Sequence, residues 1–193
     1  MKSSLLPQPS RFNEKKTTQA AAKFLTMAGG SMNYMALIKF LYLLDRGALA
    51  KWGRAVTGAE YFSMKLGPVL SEVHDLITEP SEEDSAGFWA RHISDAFHFQ
   101  IGLQNDPGDG ELSQAEEDMI QSVYFEYERF VQSPFRLVDL LHQILPEWTK
   151  VASGRVALPI SSILRSQNKS ESEIEAIEEE LSAVSTVRAM FAV

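Results

Sequence analysis

The sequence predicts a mainly α fold: a compact helical domain around one central buried helix, with a small antiparallel β-sheet of two or three strands. Three observations carry this. Leu37, Leu41, Leu44, Ala48 and Trp52 recur at helical spacing, and Phe40 and Leu43 widen the apolar cover beyond one face. Two short stretches alternate instead with the period of a strand. They are Phe62, Met64, Leu66 against Tyr61, Ser63, Lys65, and Phe97, Phe99, Ile101, Leu103 against His98, Gln100, Gly102, Gln104. Capping signals at Asn13, at Ser113 with Glu116 and at Ser170 with Glu173 mark further helices.

In chain order, residues 1–12 read as a flexible lead containing Pro7 and Pro9. It lacks the apolar run of a signal peptide. Asn13 caps a helix over Glu14–Met27, closed by Gly29-Gly30, and Ser31 or Asn33 caps the central helix. On a wheel of ~100° per residue, Asp45 falls on the apolar side beside Ile38, Leu41 and Leu49. A carboxylate there has to be paired, hydrogen-bonded or facing a pocket. Lys39 and Arg46 fall on the opposite side, with Tyr42 beside them. Gly53 stops the helix and Thr57-Gly58 turns the chain into the first strand. Pro68 then suits the first turn of a helix continued by Val69, Val73, Leu76 and Ile77.

Residues 79–95 read as a polar loop anchored by Phe88 and Trp89. The second strand is expected to pair with Tyr61–Leu66. Asp106–Gly110 (DPGDG) is a turn without the spacing of a calcium loop. Helices follow from Ser113 to about Ser133, over about Arg136–Gln143 and over Ile160–Arg165. A last helix, to about Met190, carries six Glu between positions 171 and 180. It reads as a docking helix or as a tail. The expected division is a lead (1–12), one domain (13–168) and the Glu-rich helix (169–193).

Charge is segregated. Residues 1–65 hold ten Lys/Arg and three acids, whereas residues 72–128 hold fifteen acids and one base, Arg91. The acidic stretch reads first as a solvated face, and alternatively as a surface that attracts a basic partner by complementarity. With a net charge of −8 the chain is a poor candidate for nucleic acid, although Lys39, Arg46, Lys51 and Arg54 form a local basic group. No cysteine is present, which fits a reducing cytoplasm, and no stretch approaches the ~20 apolar residues of a membrane span.

Signatures of catalysis are sparse. There is no HExxH, P-loop, nucleophile elbow or dinucleotide fingerprint. Glu72 and Asp75 share a helix face, with His74 pointing elsewhere. Asp45 and His142 read as structural polar ties, Asp45 holding the Gly53–Gly58 turn. The competing reading is an acid–base site built from Asp45, His142 and Tyr61. A partner surface is expected where Tyr61, Ser63 and Lys65 face away from the core beside Lys39, Tyr42 and Arg46. No metal or cofactor is expected.

Taken together, K-x-L-Y-L-x-D-R (Lys39–Arg46), G-R-x-V-T-G (Gly53–Gly58), the corner from Tyr61 to Gly67-Pro68-Val69 and S-E-V-x-D-L (Ser71–Leu76) resemble the Panacea domain. So do Leu112-Ser113 with Glu116, and Leu141-His142 followed by Pro146-Glu147-Trp148. This is the SocA-like antitoxin family of bacteria and their phages, and the resemblance covers roughly residues 15–165. It implies a cytoplasmic antitoxin, not an enzyme, that binds a cognate toxin encoded beside it. Proteolytic delivery of that toxin is the variant within the family. A nucleic-acid-binding regulator is the reading outside it.

Overall fold

A computed structural model of the chain describes residues 12–191. The expected lead, apart from Phe12, lies outside the described residues. The architecture is mainly helical with a small antiparallel β component, as the sequence predicts, and among the described residues that component is divided into two sheets, not one.

Helix α1 (Glu14–Met27) starts where the Asn13 side chain accepts from the Lys16 N–H at 3.0 Å. Strand β1 (Ser31–Asn33) leads into α2 (Tyr34–Trp52), whose N-cap is Asn33 and whose C-cap is Gly53 at φ 68°. Every residue from Ala36 to Asp45 is buried. Helix α2 is therefore wrapped on all sides, by α1, by the helices Ser71–Thr78, Gln114–Tyr127, Pro134–Ile144 and Ile160–Ser166, and by the strand Gly67–Leu70.

The next segment departs from expectation. Strand β2 (Tyr61–Met64) turns through Lys65-Leu66 into β3 (Gly67–Leu70), paired Tyr61 to Leu70 and Met64 to Gly67. The helix expected from Pro68 begins only at Ser71, as α3 (Ser71–Thr78). Pro68 fits the strand because β3 is the edge of a three-stranded sheet in which β2 lies between it and the strand Arg155–Ala157, and an edge tolerates a missing N–H. The faces of β2 are also reversed. Tyr61 and Ser63 are buried, Phe62 and Met64 half-buried, and Leu66 is exposed in the turn. The inner face of β2 carries side chains that hydrogen-bond, Tyr61 donating to Asp45 of α2 and Ser63 accepting the Thr149 N–H.

Residues 79–95 contain two short helices, α4 (Glu82–Ser85) and α5 (Phe88–His92), with Trp89 buried as the anchor. The strand expected over 97–103 shrinks to β4 (Gln100–Gly102), and it pairs with β1, not β2. Ile101 and Met32 face each other across that ribbon and are both buried. Phe97 and Phe99 lie outside, because the chain reverses at His98-Phe99.

The Ser113–Glu116 capping box opens α6 (Gln114–Tyr127), which runs through a short 3-10 turn to Phe130. Helix α7 (Pro134–Ile144), strand β5 (Arg155–Ala157) beside β2, and α8 (Ile160–Ser166) follow. Helix α9 (Glu171–Phe191) docks through Ile174, which is buried, and Ile177, which packs over Gly53.

The segregated charges meet each other. Lys15 bonds Glu111, Lys16 bonds Glu116, and Lys23 bonds both Asp109 and Glu117, at 2.8–3.0 Å. The basic stripe of α1 is thus mated to the acids at and before α6.

Candidate functional site

Helix α2 carries four polar residues at three- and four-residue intervals: Lys39, Tyr42, Asp45 and Arg46. Each reaches a different part of the chain. Lys39 Nζ donates to the Pro68 carbonyl of β3 at 2.7 Å, and it has no ion pair among the described residues. Burial pushes its ammonium down to about 7. Tyr42 donates to Glu147 at 2.8 Å, and Arg46 Nε donates to the same carboxylate oxygen at 2.6 Å. Burial would raise the Glu147 carboxyl, but the Arg46 and Tyr42 bonds prevail and hold it below the usual range.

Asp45 is fully buried. One oxygen accepts the Val56 and Thr57 N–H groups at 2.8 and 3.0 Å, and the other accepts the hydroxyls of Thr57 and, at 2.9 Å, Tyr61. Burial raises its pKa in spite of these bonds. The same burial, with the adjacent carboxylates, holds Tyr42 and Tyr61 well above the normal phenol range. Asp45 therefore fixes the turn after α2, and Tyr61 carries the tie on into β2.

The segment after α7 closes the arrangement from the other side. Trp148 Nε1 donates to the Met64 carbonyl at 3.0 Å, and the Thr149 N–H donates to Ser63 Oγ at 3.2 Å. His142 stacks on Trp148 with ring centroids 3.8 Å apart. Its buried Nε2 has no hydrogen-bond partner among the described residues. Burial, then the charge of Lys39, lowers its pKa. Gly67 stands at φ 99°, where a side chain is strained, and a Cβ there would also sit a tight 3.2 Å from Lys39 Nζ.

This geometry corrects the expected exposed patch. Lys39, Tyr42, Tyr61 and Ser63 are buried, Arg46 is half-buried and held by Glu147, and of the six only Lys65 is exposed. The buried ones turn inward because each meets a partner there: Lys39 the Pro68 carbonyl, Tyr42 the Glu147 carboxylate, Tyr61 the Asp45 carboxylate and Ser63 the Thr149 N–H. The acid–base site is not assembled either. Asp45 and Tyr61 meet, but His142 lies with Trp148 and Lys39 and makes no hydrogen bond to Asp45. Glu72 does not pair with Asp75. Glu72 accepts the Glu60 N–H, while Asp75 takes Arg155 and the neighbouring His74. In the DPGDG turn, Asp106 accepts the Gly108 N–H and Asp109 takes Lys23. Among the described residues no group of three or more His, Asp or Glu stands ready for a metal.

Sequence reasoning missed two features. Glu147 is the shared acceptor of Tyr42 and Arg46, and its burial shows only once α7 has folded back onto α2. Phe97 and Phe99 are 72% and 67% exposed, yet their alternation with Ile101 reads as a core strand. A cavity of about 530 Å³ also lies between the 53–62 segment, residues 157–160 and the middle of α9, where Leu181 and Val184 line it.

A family model, antitoxin SocA-like, Panacea domain, matches residues 37–149, which span every side chain of the polar brace that ties α2 to Thr57, Tyr61, Pro68 and Glu147. No curated protein and no solved structure matches the chain. No described helix is long and apolar enough to cross a membrane.

Proposed function

The chain belongs to the SocA-like antitoxin family through its Panacea domain, and on that premise we propose that it neutralises a cognate protein toxin by binding it directly. The observation that carries this reading is the family match itself, over more than half the chain. The geometry supports a binder over an enzyme, because the carboxylates and phenols of the brace are engaged with one another and with backbone donors. It also supports a protein partner over nucleic acid, because Lys16 and Lys23 are neutralised by the chain's own acids. The absence of cysteine fits action in the cytoplasm.

The test is co-expression of the tagged chain with the product of the neighbouring reading frame. A stable complex together with rescue of growth supports sequestration. Rescue that disappears in a protease-deficient host moves the reading to proteolytic delivery. Neither complex nor rescue refutes it.

A further inference from the structure

The most exposed aromatic residues of the described chain sit together at one hairpin tip. Phe97 donates its N–H to Gln100, and Gln100 returns its own to Phe97, both at 2.9 Å. That closes a two-residue loop in which His98 and Phe99 stand at φ 49° and 64°. Loops of this kind favour Asn-Gly, because a bulky side chain at positive φ is strained. Here the loop holds His-Phe, and both Phe99 within it and Phe97 just before it face outward.

The tip is nonetheless held firmly from behind. The Tyr34 N–H at the start of α2 donates to the Phe99 carbonyl at 2.9 Å, and the Tyr34 ring lies 6.1 Å from that of Phe99. Below it, Ser94 and Gly102 bond each other and β4 pairs with β1. Phe97 stacks on His98 at 4.1 Å. The sequence thus breaks a local turn rule in order to present a fixed apolar pair to solvent, a pattern that points to binding.

The flank defines the partner. Residues 79–95 carry five acids (Glu79, Glu82, Glu83, Asp84, Asp95) against one base, Arg91. None of these acids forms an ion pair among the described residues, unlike the acids mated to α1. A cleft of about 180 Å³ at the hairpin root is lined by Leu76, Trp89 and Ile93 together with Asp84 and Asp95. Its exposed lining is mainly polar, and its carboxylates suit the charged head of a Lys or Arg. We propose that the Phe97–Phe99 tip anchors the toxin, inserting into an apolar pocket whose rim is basic. This assignment rests on the antitoxin reading. A second copy of the chain and an anionic lipid surface are both disfavoured, since each would bring negative charge against this flank.

The test compares the full chain with three variants against the purified product of the adjacent reading frame. His98→Asn/Phe99→Gly relieves the loop, so it should unfold at a temperature equal to or above that of the wild type. It should nevertheless bind about 30-fold more weakly, the loss expected for one aromatic anchor. Phe97→Ser/Phe99→Ser should abolish growth rescue. Glu82→Lys/Glu83→Lys/Asp95→Lys should weaken binding at low salt with the fold intact. Rescue and affinity unchanged in the hairpin variants, with the wild type active, overturn the assignment while leaving the antitoxin reading standing. A wild type that neither binds nor rescues overturns both. Tighter binding by the charge reversal, sedimentation with phosphatidylglycerol vesicles, or self-association lost with the phenylalanines would overturn the basic protein partner.

Discussion

Replacing Lys39 with methionine tests whether a buried ammonium without a counter-ion governs stability above neutral pH. The unfolded chain keeps the Lys39 proton to about pH 10.5, whereas the folded chain releases it near 7. Below pH 7 both states are protonated and folding carries the whole cost of burying the charge. Across the gap from 10.5 to about 7 that cost is about 5 kcal/mol, at 1.36 kcal/mol per pH unit. Above pH 7 the folded state sheds the proton and the unfolded state does not, so stability rises with pH. Between pH 7 and 9 the rise is about 2 kcal/mol, below the range where Tyr42 and Tyr61 reverse the trend. At a urea slope of about 2 kcal/mol per molar, the unfolding midpoint should climb by about 1 M. In Lys39→Met the climb should vanish, because the titrating group is gone. A wild-type midpoint that stays flat from pH 7 to 9, or an equal climb in Lys39→Met, would refute the reasoning.

Other perturbations probe the remaining ties. Asp45→Ala strands two N–H groups and two hydroxyls in the core and should cost about 3–5 kcal/mol in urea unfolding; a loss below about 1 would show that the turn holds itself. Glu147→Gln leaves half-buried Arg46 without its carboxylate and should cost about 2 kcal/mol, read against Arg46→Met in a double-mutant cycle. Gly53→Ala places a Cβ at φ 68° and 3.1 Å from Ile177, so it should cost about 1–2 kcal/mol and free α9 to limited proteolysis before the rest of the fold.

Helix ends were legible in the sequence because capping is local chemistry. Asn13, Gly53 and Ser113 with Glu116 all act at the positions their residue types announce. The position of Asp45 on the apolar side of α2 was also legible, from periodicity alone. The faces of β2 were not, because hydropathy assigns the core to Phe62 and Met64. The core opposite β2 is instead a row of polar groups that suits Tyr61 and Ser63. The hairpin at His98-Phe99 was invisible because it lacks every usual turn residue. The segregation of charge was plain, but the mating of α1 to α6 depends on tertiary placement. So does the pairing of Tyr42 and Arg46 on Glu147, a hundred residues away.

The brace and the hairpin draw on different parts of the chain. Asp45, Tyr42, Arg46 and Lys39 reach the turn at Val56-Thr57, Glu147 and Pro68. The hairpin rests on Tyr34, β1 and Ser94. No hydrogen-bond partner is shared, so the two should respond to mutation independently. Combining Asp45→Ala with His98→Asn/Phe99→Gly should give a stability change equal to the sum of the separate changes within about 0.5 kcal/mol. Coupling above about 1 kcal/mol would mean that the hairpin is part of the brace, and that its exposed phenylalanines serve folding. Additivity would mean that residues at the tip can change freely while α2, β2 and the segment after α7 stay fixed. A scaffold divided in that way can keep one fold while the exposed residues of the hairpin vary.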